Sequence, residues 1–443
     1  MKNEINLQWS FFSNLENFFQ ETPKTSLISY RTNENCNFAD NIFWWKNIYL
    51  SFSCWENAEN ILYSYWVYDN VVNVCNSVSI CSNSQNIYCS TDCLNSTNIF
   101  FSKFINNCHE LRFCSDTTWC NNCIMCDNIE NQSYCINNKK LSKEDYEKEK
   151  KEILSKKEMF LFWYKNIKAE WKSYNTDNCT GKRIINCSNI ENWLIVSNST
   201  IGRNDFMLSW IDNCSYSYDC FQAGHNTQYM YAVANVWTFS EHLYCSVWID
   251  DRCSHIYYSF LLRSCSYCIW CYWLQNKSFC ILNKQYTKEE RYELANKIFE
   301  KMDQDWSLWK FFPPSMNPFY FNDTVAYLID DTFTKEEVTK EGYLWREEKI
   351  AVDIPKNLEI IYTGKKDEND EKGKKGKVLS DFQWFDTNWN RQIDPEILKK
   401  VIVDEQGNYY TIQKLELEFL QKYGLPLPEI HWLERIKLGF RFK

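Results

Sequence analysis

Asn47-Ile-Tyr-Leu-Ser51 is the first clear copy of a motif that returns as Asn60-Ile-Leu-Tyr-Ser64, Asn86-Ile-Tyr-Cys-Ser90 and Asn98-Ile-Phe-Phe-Ser102. Weaker copies end at Ser77 and Ser115, so the serines follow one another at steps of 13, 13, 13, 12 and 13 along the chain. Short strand-like segments at a small fixed period predict a solenoid, in which each turn of chain stacks on the turn before it. The period fits a tight coil, and it also fits half of a coil of about 25 residues.

Asparagine is expected to supply the turns of this solenoid. The chain has only 10 glycines in 443 residues, and three of them precede residue 300. Asparagine tolerates a positive φ better than most other residues do. The motif recurs less regularly in the second half, at 206–209, 243–246 and 256–259, and it loses its register around Gly224.

One cysteine spacing occurs twice, at a constant offset of 145 in residue number. The two sets are Cys120, Cys123, Cys126 and Cys135, followed by Cys265, Cys268, Cys271 and Cys280. Residues between and after these cysteines agree at the same offset, for example Lys143-Glu144 with Lys288-Glu289. We therefore expect an internal duplication, with one solenoid segment in each half.

A charged helical pattern follows each cysteine set. Ser142 with Asp145, and Thr287 with Glu290, have the spacing of a capping box at a helix N-terminus. The first helix is expected to extend to about residue 170 and the second to about residue 302. We expect each helix to cap its solenoid, because an uncovered last turn would expose unpaired backbone.

The fold class expected is mainly β, with two duplicated, helix-capped solenoid segments and a small α+β C-terminal region. The expected boundaries are an N-terminal cap (1–35), the first solenoid segment (36–141), its helix (142–175), the second solenoid segment (176–286), its helix (287–304) and the α+β region (305–443). That region contains a mixed-charge linker at 365–377.

Composition indicates which kinds of partner the protein binds and in which cellular compartment it is located. The net charge of −9 argues against a broad nucleic-acid-binding surface. The sequence has no signal-peptide pattern and no apolar run long enough to span a membrane, so a cytoplasmic location is expected. Thiols stay reduced in that compartment.

The eight cysteines of the two repeated sets are the candidate metal ligands, with one zinc ion for each set of four thiolates. The alternative is that they are reduced thiols of the solenoid interior, like the other cysteines of the same repeats; disulfides are the third possibility. No cofactor other than zinc is indicated.

Enzyme signatures are missing from the sequence: there is no G-x-S-x-G, no phosphate loop and no G-x-G-x-x-G. The histidines have no catalytic spacing. We therefore expect a non-enzymatic scaffold that binds a protein partner. A zinc-binding regulatory module is the alternative. A carbohydrate-active β-helix protein is the third reading, and it would use acidic residues such as Asp205, Asp212, Asp250 and Asp251.

Several motifs resemble those of a cysteine-rich repeat family of ultrasmall candidate-phylum bacteria, often labelled zinc-ribbon proteins. They are Leu274–Glu290, Phe311–Ser315, Asn317–Phe319, Gly342–Arg346 and Lys414–Pro428. The resemblance implies no activity. Related chains carry further paired cysteines near the C-terminus, whereas this chain has none after Cys280.

The family commonly has glycine where this chain has Trp270, Trp273 and Trp309. The chain also has 20 tryptophans against its 10 glycines. Two hypotheses follow: either some UGA codons that encode glycine have been translated as tryptophan, or the chain has an aromatic-rich surface. UGG codons at these positions would exclude the first.

Overall fold

The computed structural model describes residues 5–6, 8–21, 33–42, 46–156, 160–167, 174–179, 181–191, 193–197, 200–203, 217–218, 221–223, 234–236, 247–250, 253–308, 310, 312–317, 319–347, 354, 358–364 and 377–440. The chain forms two compact units. The first contains residues 1–24, 171–321 and 334–345, and the second contains 25–170, 322–333 and 346–443.

The second unit contains a β-solenoid whose four-residue strands alternate between two parallel sheets. The strands of one sheet are β1 Glu34–Asn37, β3 Lys46–Tyr49, β5 Glu59–Leu62, β7 Val72–Cys75, β9 Gln85–Tyr88, β11 Thr97–Phe100, β13 His109–Arg112, β15 Asn121–Ile124 and β17 Ser133–Ile136, which β18 Lys139–Lys140 joins in antiparallel orientation. The strands of the other sheet are β2 Asp40–Ile42, β4 Phe52–Trp55, β6 Tyr65–Tyr68, β8 Val78–Cys81, β10 Thr91–Leu94, β12 Lys103–Asn106, β14 Ser115–Thr118 and β16 Asp127–Glu130.

One turn of this solenoid is a tight coil with two strands. Ile48 is in register with Ile61, a step of 13 along the chain, as in the bond from the Ser64 N–H to the Ser51 hydroxyl. Ile99 is in register with Leu111, a step of 12, as in the bond from the Ser102 N–H to the Ser90 hydroxyl. The longer coil, twice this length, is therefore excluded.

The coil is built from three-residue steps. A residue with positive φ precedes each inward-facing residue. For example, Asn47 (φ 58°) precedes Ile48, and Leu50 (φ 44°) precedes Ser51. The inward-facing residues Ile48, Ser51 and Cys54 are all completely buried. Four such steps close a 12-residue turn. This explains the demand for asparagine, which tolerates the left-handed conformation better than other non-glycine residues do.

The 12-residue and 13-residue turns differ at one corner of the coil, the corner that follows the strands of the second sheet. The longer turns have two consecutive residues with positive φ at this corner, for example Glu56 with Asn57 and Asp69 with Asn70. The shorter turns have one, such as Asn95 or Asn107. The later turns are of the shorter type, so the residue after Ser102 in its column is Cys114, whose N–H donates to the Ser102 hydroxyl at 3.1 Å. The prediction that Ser115 continues this series is therefore wrong by one position.

Two helices follow this solenoid, α2 Lys143–Ser155 and α3 Phe160–Asn166. The Ser142 side chain accepts from the Asp145 N–H at 3.1 Å, which is the N-terminal cap that the sequence predicts. The sequence predicts one helix to about residue 170, whereas the structure has two, because α2 ends at Ser155 and α3 begins at Phe160. The Tyr146 ring of α2 contacts the Tyr134 ring of β17 at 5.6 Å.

The C-terminal region of the second unit packs on the solenoid. Its elements are α5 Val325–Ile329, the parallel pair β32 Glu359–Tyr362 and β35 Lys400–Val403 with β36 Tyr409–Tyr410, the hairpin β33 Gln383–Phe385 and β34 Arg391–Ile393, and the helices α7 Lys414–Tyr423 and α8 Trp432–Phe440. Gly424 ends α7 with φ 63°, a left-handed conformation that glycine adopts without strain. Trp432 stacks on Tyr63 at 5.7 Å, and Phe419 stacks on Tyr88 at 5.8 Å.

In the first unit, strands with parallel pairing run from residue 174 to 281. They are β19 Tyr174–Asp177, β20 Gly181–Glu191, β21 Trp193–Ser197, β22 Thr200–Arg203, β23 Ser217–Tyr218, β24 Phe221–Ala223, β25 Ala234–Val236, β26 Val247–Asp250, β27 Ser254–Tyr257, β28 Phe260–Arg263, β29 Ser266–Ile269 and β30 Cys280–Ile281, with the antiparallel β31 Lys284–Gln285. The same unit contains the helices α1 Phe11–Glu21, α4 Lys288–Gln304 and α6 Lys335–Lys340.

The core of the first unit joins strands and helices. Ile298 of α4 and Phe11 of α1 pack in one buried cluster with Tyr258 and Trp270. Thr287 and Glu290 form the predicted capping box of α4. The recurrences of the motif at 206–209 and 243–246 and the linker residues 365–376 lie outside the described residues.

Among the described residues, none of the helices combines the length and the apolar character that crossing a membrane requires.

Candidate functional site

The cysteines of the first repeated set lie inside the solenoid, some in hydrogen-bonded columns at its corners and others in apolar columns of its sheet walls. One column, at a corner of the coil, begins with serines. The Ser64 hydroxyl donates to the Leu62 carbonyl at 2.8 Å and accepts from the Ser77 N–H at 3.3 Å. Each hydroxyl therefore satisfies a buried carbonyl of its own turn and a buried N–H of the next turn.

Cysteine takes over the role of serine in the later turns. At the opposite corner the column runs from Ser84 and Ser96 to Cys108 and Cys120. The Cys108 thiol donates to the Asn106 carbonyl at 3.1 Å and accepts from the Cys120 N–H at 3.3 Å. The corner thiols are therefore structural hydrogen-bonding groups in the same geometry as serine hydroxyls.

Other cysteines continue the apolar columns of the sheet walls. Cys123 of β15 is in register with Leu111 of β13 and with Cys135 of β17, and all three are buried. Because inward-facing residues recur at every third position, the spacing of Cys120, Cys123, Cys126 and Cys135 places all four inside the coil.

The first cysteine set forms a contiguous group of buried thiols with Cys114. Hydrogen bonds from the thiols of Cys114 and Cys123 lower the pKa of Cys126 from its ordinary value, whereas the same bond to Cys126, together with burial, raises the pKa of Cys123.

The second set also forms a group of buried thiols, in the first unit. The Cys268 thiol is in hydrogen-bonding contact with those of Cys265, Cys271 and Cys280, and these bonds raise the pKa of Cys268. The hydrogen bond from Cys268 lowers the pKa of Cys265 to about 7, and it also lowers that of Cys280. The Cys271 N–H donates to the Ser259 hydroxyl at 3.0 Å, so Cys271 continues a serine column.

The thiols suit zinc as donors, but in the described part of the chain they are hydrogen-bonded as thiols. Four soft sulfur ligands would satisfy the coordination of zinc. Within the described residues, however, no group of three or more histidine, cysteine, aspartate or glutamate side chains is placed to hold a metal ion. The thiols of Cys120 and Cys126 instead donate to carbonyls two residues earlier, at 3.3 Å in both cases. The zinc assignment stays a prediction.

The remaining candidates from the sequence are dispersed. His109 is exposed on β13, His255 stacks on Tyr267 at 4.4 Å, and His431 is half-buried beside α8. His225, His242, Asp205, Asp212 and Asp251 lie outside the described residues, and Asp250 is the last residue of β26.

The second candidate site is a surface, on the sheet formed by the odd-numbered strands from β1 to β17. We call it the asparagine sheet. Its asparagines form a continuous side-chain ladder, in which each amide donates to the oxygen of the next: Asn35, Asn47, Asn60, Asn73, Asn86 and Asn98, ending on Glu110. The bond from Asn60 to Asn73 measures 2.9 Å. The motif Asn-x-x-x-Ser contains this signal, because its asparagine recurs at the period of the coil.

The outward faces of the two sheets differ in exposure. On β9 and β11, Gln85 is exposed and Thr97 is half-buried. On the other sheet, Val78 and Thr91 are buried, and the Thr91 hydroxyl lies 3.3 Å from the Gly439 carbonyl of α8. The C-terminal region thus covers the second sheet at Thr91, and it also covers the last residues of strands in the asparagine sheet, such as Tyr88 and Phe100, which pack on Phe419. The asparagine edge of that sheet stays accessible. Sequence periodicity does not reveal which face is covered.

No protein-family model, curated protein or solved structure matches the chain. The resemblance to the cysteine-rich repeat family therefore stays a prediction from the motifs.

Proposed function

We propose that this protein is a non-enzymatic scaffold that binds a protein partner on the asparagine sheet of its β-solenoid, which is the sheet formed by the odd-numbered strands from β1 to β17. The observation that carries the proposal is the accessibility of the asparagine edge of this sheet, whereas the C-terminal region covers the other sheet at Thr91 and the last residues of these strands, such as Tyr88. Solenoids present extended, regular surfaces of this kind to partners. The face is polar, and its amides are already ordered by their ladder, so binding would cost little side-chain entropy.

The proposal includes an internal duplication with helical caps. It is supported by the positions of the elements, because β13, β14, β15 and α2 begin at 109, 115, 121 and 143, and β27, β28, β29 and α4 begin at 254, 260, 266 and 288. This is the same offset that relates the two cysteine sets.

Local contacts support the duplication and the caps as well. Asn138 Nδ2 donates to the Asp127 carbonyl at 2.9 Å, and Asn283 Nδ2 donates to the Tyr272 carbonyl at 2.8 Å. The contact of the α2 ring of Tyr146 with the last parallel strand of its solenoid supports the capping role of α2. For α4, the support is the bond from Arg291 Nε to the carbonyl of residue 267 at 3.0 Å.

Site-specific photo-crosslinking tests the scaffold. A photoreactive residue replaces Gln85 on the asparagine sheet, and in a matched control it replaces Glu130, which is exposed at the end of β16 on the other sheet. In cells that express the gene, we expect a discrete protein adduct from position 85 only, and we expect Thr97→Arg on the neighbouring strand to abolish it. The same adducts from both positions, or none from position 85, would refute the proposal.

A zinc-binding regulatory module is the second candidate, and the contact of Cys268 with three other thiols favours it. When bound, zinc would link the thiolates of each set and add binding free energy to folding. Metal analysis of the purified protein separates the candidates. About two zinc ions per chain, one for each set of four thiols, lost in Cys123→Ser and Cys268→Ser, would support the second. A folded protein without stoichiometric zinc would support the first.

A further inference from the structure

We infer that the contact between the solenoid of the second unit and the C-terminal region contains a site for ordered water, built around Arg435. The site lies in the second unit and is independent of the proposed partner surface. Its three supports are a cavity, an incompletely hydrogen-bonded guanidinium and the local charge balance.

The cavity has a volume of about 40 Å³. Tyr88, Cys89 and Phe101 line it from the solenoid, and Phe160 lines it from α3. The C-terminal region contributes the stretch 426–430 together with Arg435 and Leu438. A water molecule needs about 10–15 Å³ measured in this way, so the cavity has room for about three.

Arg435 is the charged group that gives this cavity its chemistry. Its side chain is 3% exposed, and its Nη1 donates to Glu416 Oε1 at 2.7 Å. Its Nε and Nη2 are also buried, and neither has a hydrogen-bond partner among the described residues. Buried donors on a charged group are costly to leave unsatisfied, so the cavity should contain an acceptor.

The charge balance identifies that acceptor as a neutral molecule. Glu416, which is completely buried, already neutralises Arg435. A second anion would leave a net negative charge in a region of low dielectric, which is strongly unfavourable. Water accepts from the guanidinium N–H groups and can donate its own hydrogens to carbonyl groups of the 426–430 stretch.

The same polar cluster extends toward the solenoid. Asn76 Nδ2 approaches Glu416 Oε1 at 3.5 Å, and the Cys75 thiol approaches the same oxygen at 4.0 Å. Glu416 Oε2 and Asn76 Oδ1 are buried without a partner among the described groups. This part of the interface is therefore polar and requires solvent to complete its hydrogen bonds.

The test is a crystal structure of the full chain, at a resolution that shows individual waters, with crystals soaked in bromide or in acetate. We expect water-sized density within about 3.2 Å of Arg435 Nε or Nη2, and no anomalous bromide peak or acetate density there. A bromide or acetate ion on these atoms would identify an anion site and overturn the inference. Well-ordered side chains with no density in the cavity would also overturn it.

A variant provides the matched control. Arg435→Met combined with Glu416→Leu removes the donors and the charge but keeps apolar side chains of similar size. We expect the water peaks nearest position 435 to disappear in this variant while the C-terminal region stays docked. Peaks that persist unchanged would show that Arg435 does not hold the water.

Discussion

Trp389, in the loop of the β33–β34 hairpin, and Gly407, in the loop between β35 and β36, occupy equivalent positions in their loops. The Trp389 N–H donates to the Asp386 carbonyl, and the Gly407 N–H donates to the Asp404 carbonyl, both at 3.0 Å. Both residues have a positive φ, 63° for Trp389 and 81° for Gly407. The loop at residue 389 is therefore a glycine-type loop that contains a tryptophan.

Replacing Trp389 by glycine is expected to stabilise the protein by about 1 kcal/mol, because a left-handed conformation costs a residue with a Cβ atom about that much. The side chain is 68% exposed, so few contacts are lost. The control is Trp384→Gly, at an exposed position in β33 with ordinary φ, which should destabilise. Urea unfolding measures both, and a loss of stability in Trp389→Gly would contradict the assignment.

Trp306→Gly should show the same gain at the end of α4. The Ser307 N–H donates to the Met302 carbonyl at 2.9 Å, and Trp306 has φ 54°, as at the glycine position of a Schellman motif. Trp306 is 82% exposed, so the substitution loses little packing. These positions support the hypothesis that some tryptophans of this chain stand where glycine belongs, and the codons would decide it.

The corner and wall columns should respond oppositely to serine and valine. At the corner position Cys108, serine should keep both backbone hydrogen bonds and be nearly neutral, whereas valine should cost about 1–3 kcal/mol by leaving the Cys120 N–H unpaired. At the wall position Cys93, between Ile80 and Ile105, valine should be tolerated and serine should destabilise. Unfolding measured with chelator present removes any metal contribution. Equal responses at both positions would refute the distinction.

The ion pair between Arg435 and Glu416 should stabilise less than its short distance suggests. Arg435→Met or Glu416→Leu alone should cost about 3–5 kcal/mol, because each leaves a buried unpaired charge. The double variant should be about as stable as the parent or more stable, since it avoids desolvating both charges. A double-variant loss as large as the sum of the two single losses would contradict this view.

Lys103 should make stability depend on pH. Burial lowers its pKa from 10.5 to about 8, and its ammonium lies 5.2 Å from the centre of the Tyr164 ring. The unfolded chain therefore binds more protons between pH 8 and 10.5, and the contribution of Lys103 becomes less unfavourable as the pH rises through this range.

Lys103→Met is the variant that tests this dependence. It should stabilise by up to about 3 kcal/mol at pH 7, taking about 1.4 kcal/mol for each pKa unit, and by clearly less at pH 9.5. The control is Lys148→Met on the exposed face of α2. A gain that does not change between these pH values would show that the ammonium is not desolvated.

The sequence predicts the solenoid well because its signals are local and periodic. The cysteine spacing follows from inward-facing residues at every third position. The serine period follows from four such steps, with one residue added at a corner in the 13-residue turns. The period alone could not exclude the longer coil. The strands of this coil contain a residue with positive φ, such as Asn47 or Asn60, and the pattern of ordinary strands therefore does not predict how many residues close one turn. It also could not show that residue 114 continues the column, since cysteine and serine are interchangeable there.

The docking of the C-terminal region could not be predicted. Its contacts join residues far apart in sequence, such as Tyr63 with Trp432, and each partner resembles an ordinary aromatic residue of a core. The close approach at Gly439, where an added Cβ would lie 2.6 Å from Val78 Cγ2, is likewise visible only in three dimensions.

The corner that separates 13-residue from 12-residue turns gives this fold an unusual tolerance. Loss of one residue from the pair Glu56–Asn57 or the pair Asp69–Asn70 would convert a long turn into a short one and leave every buried column in place. A single deletion within a strand would instead move the inward-facing side chains to solvent. Chains of this type can therefore change in length by single residues at one corner while the interior is conserved.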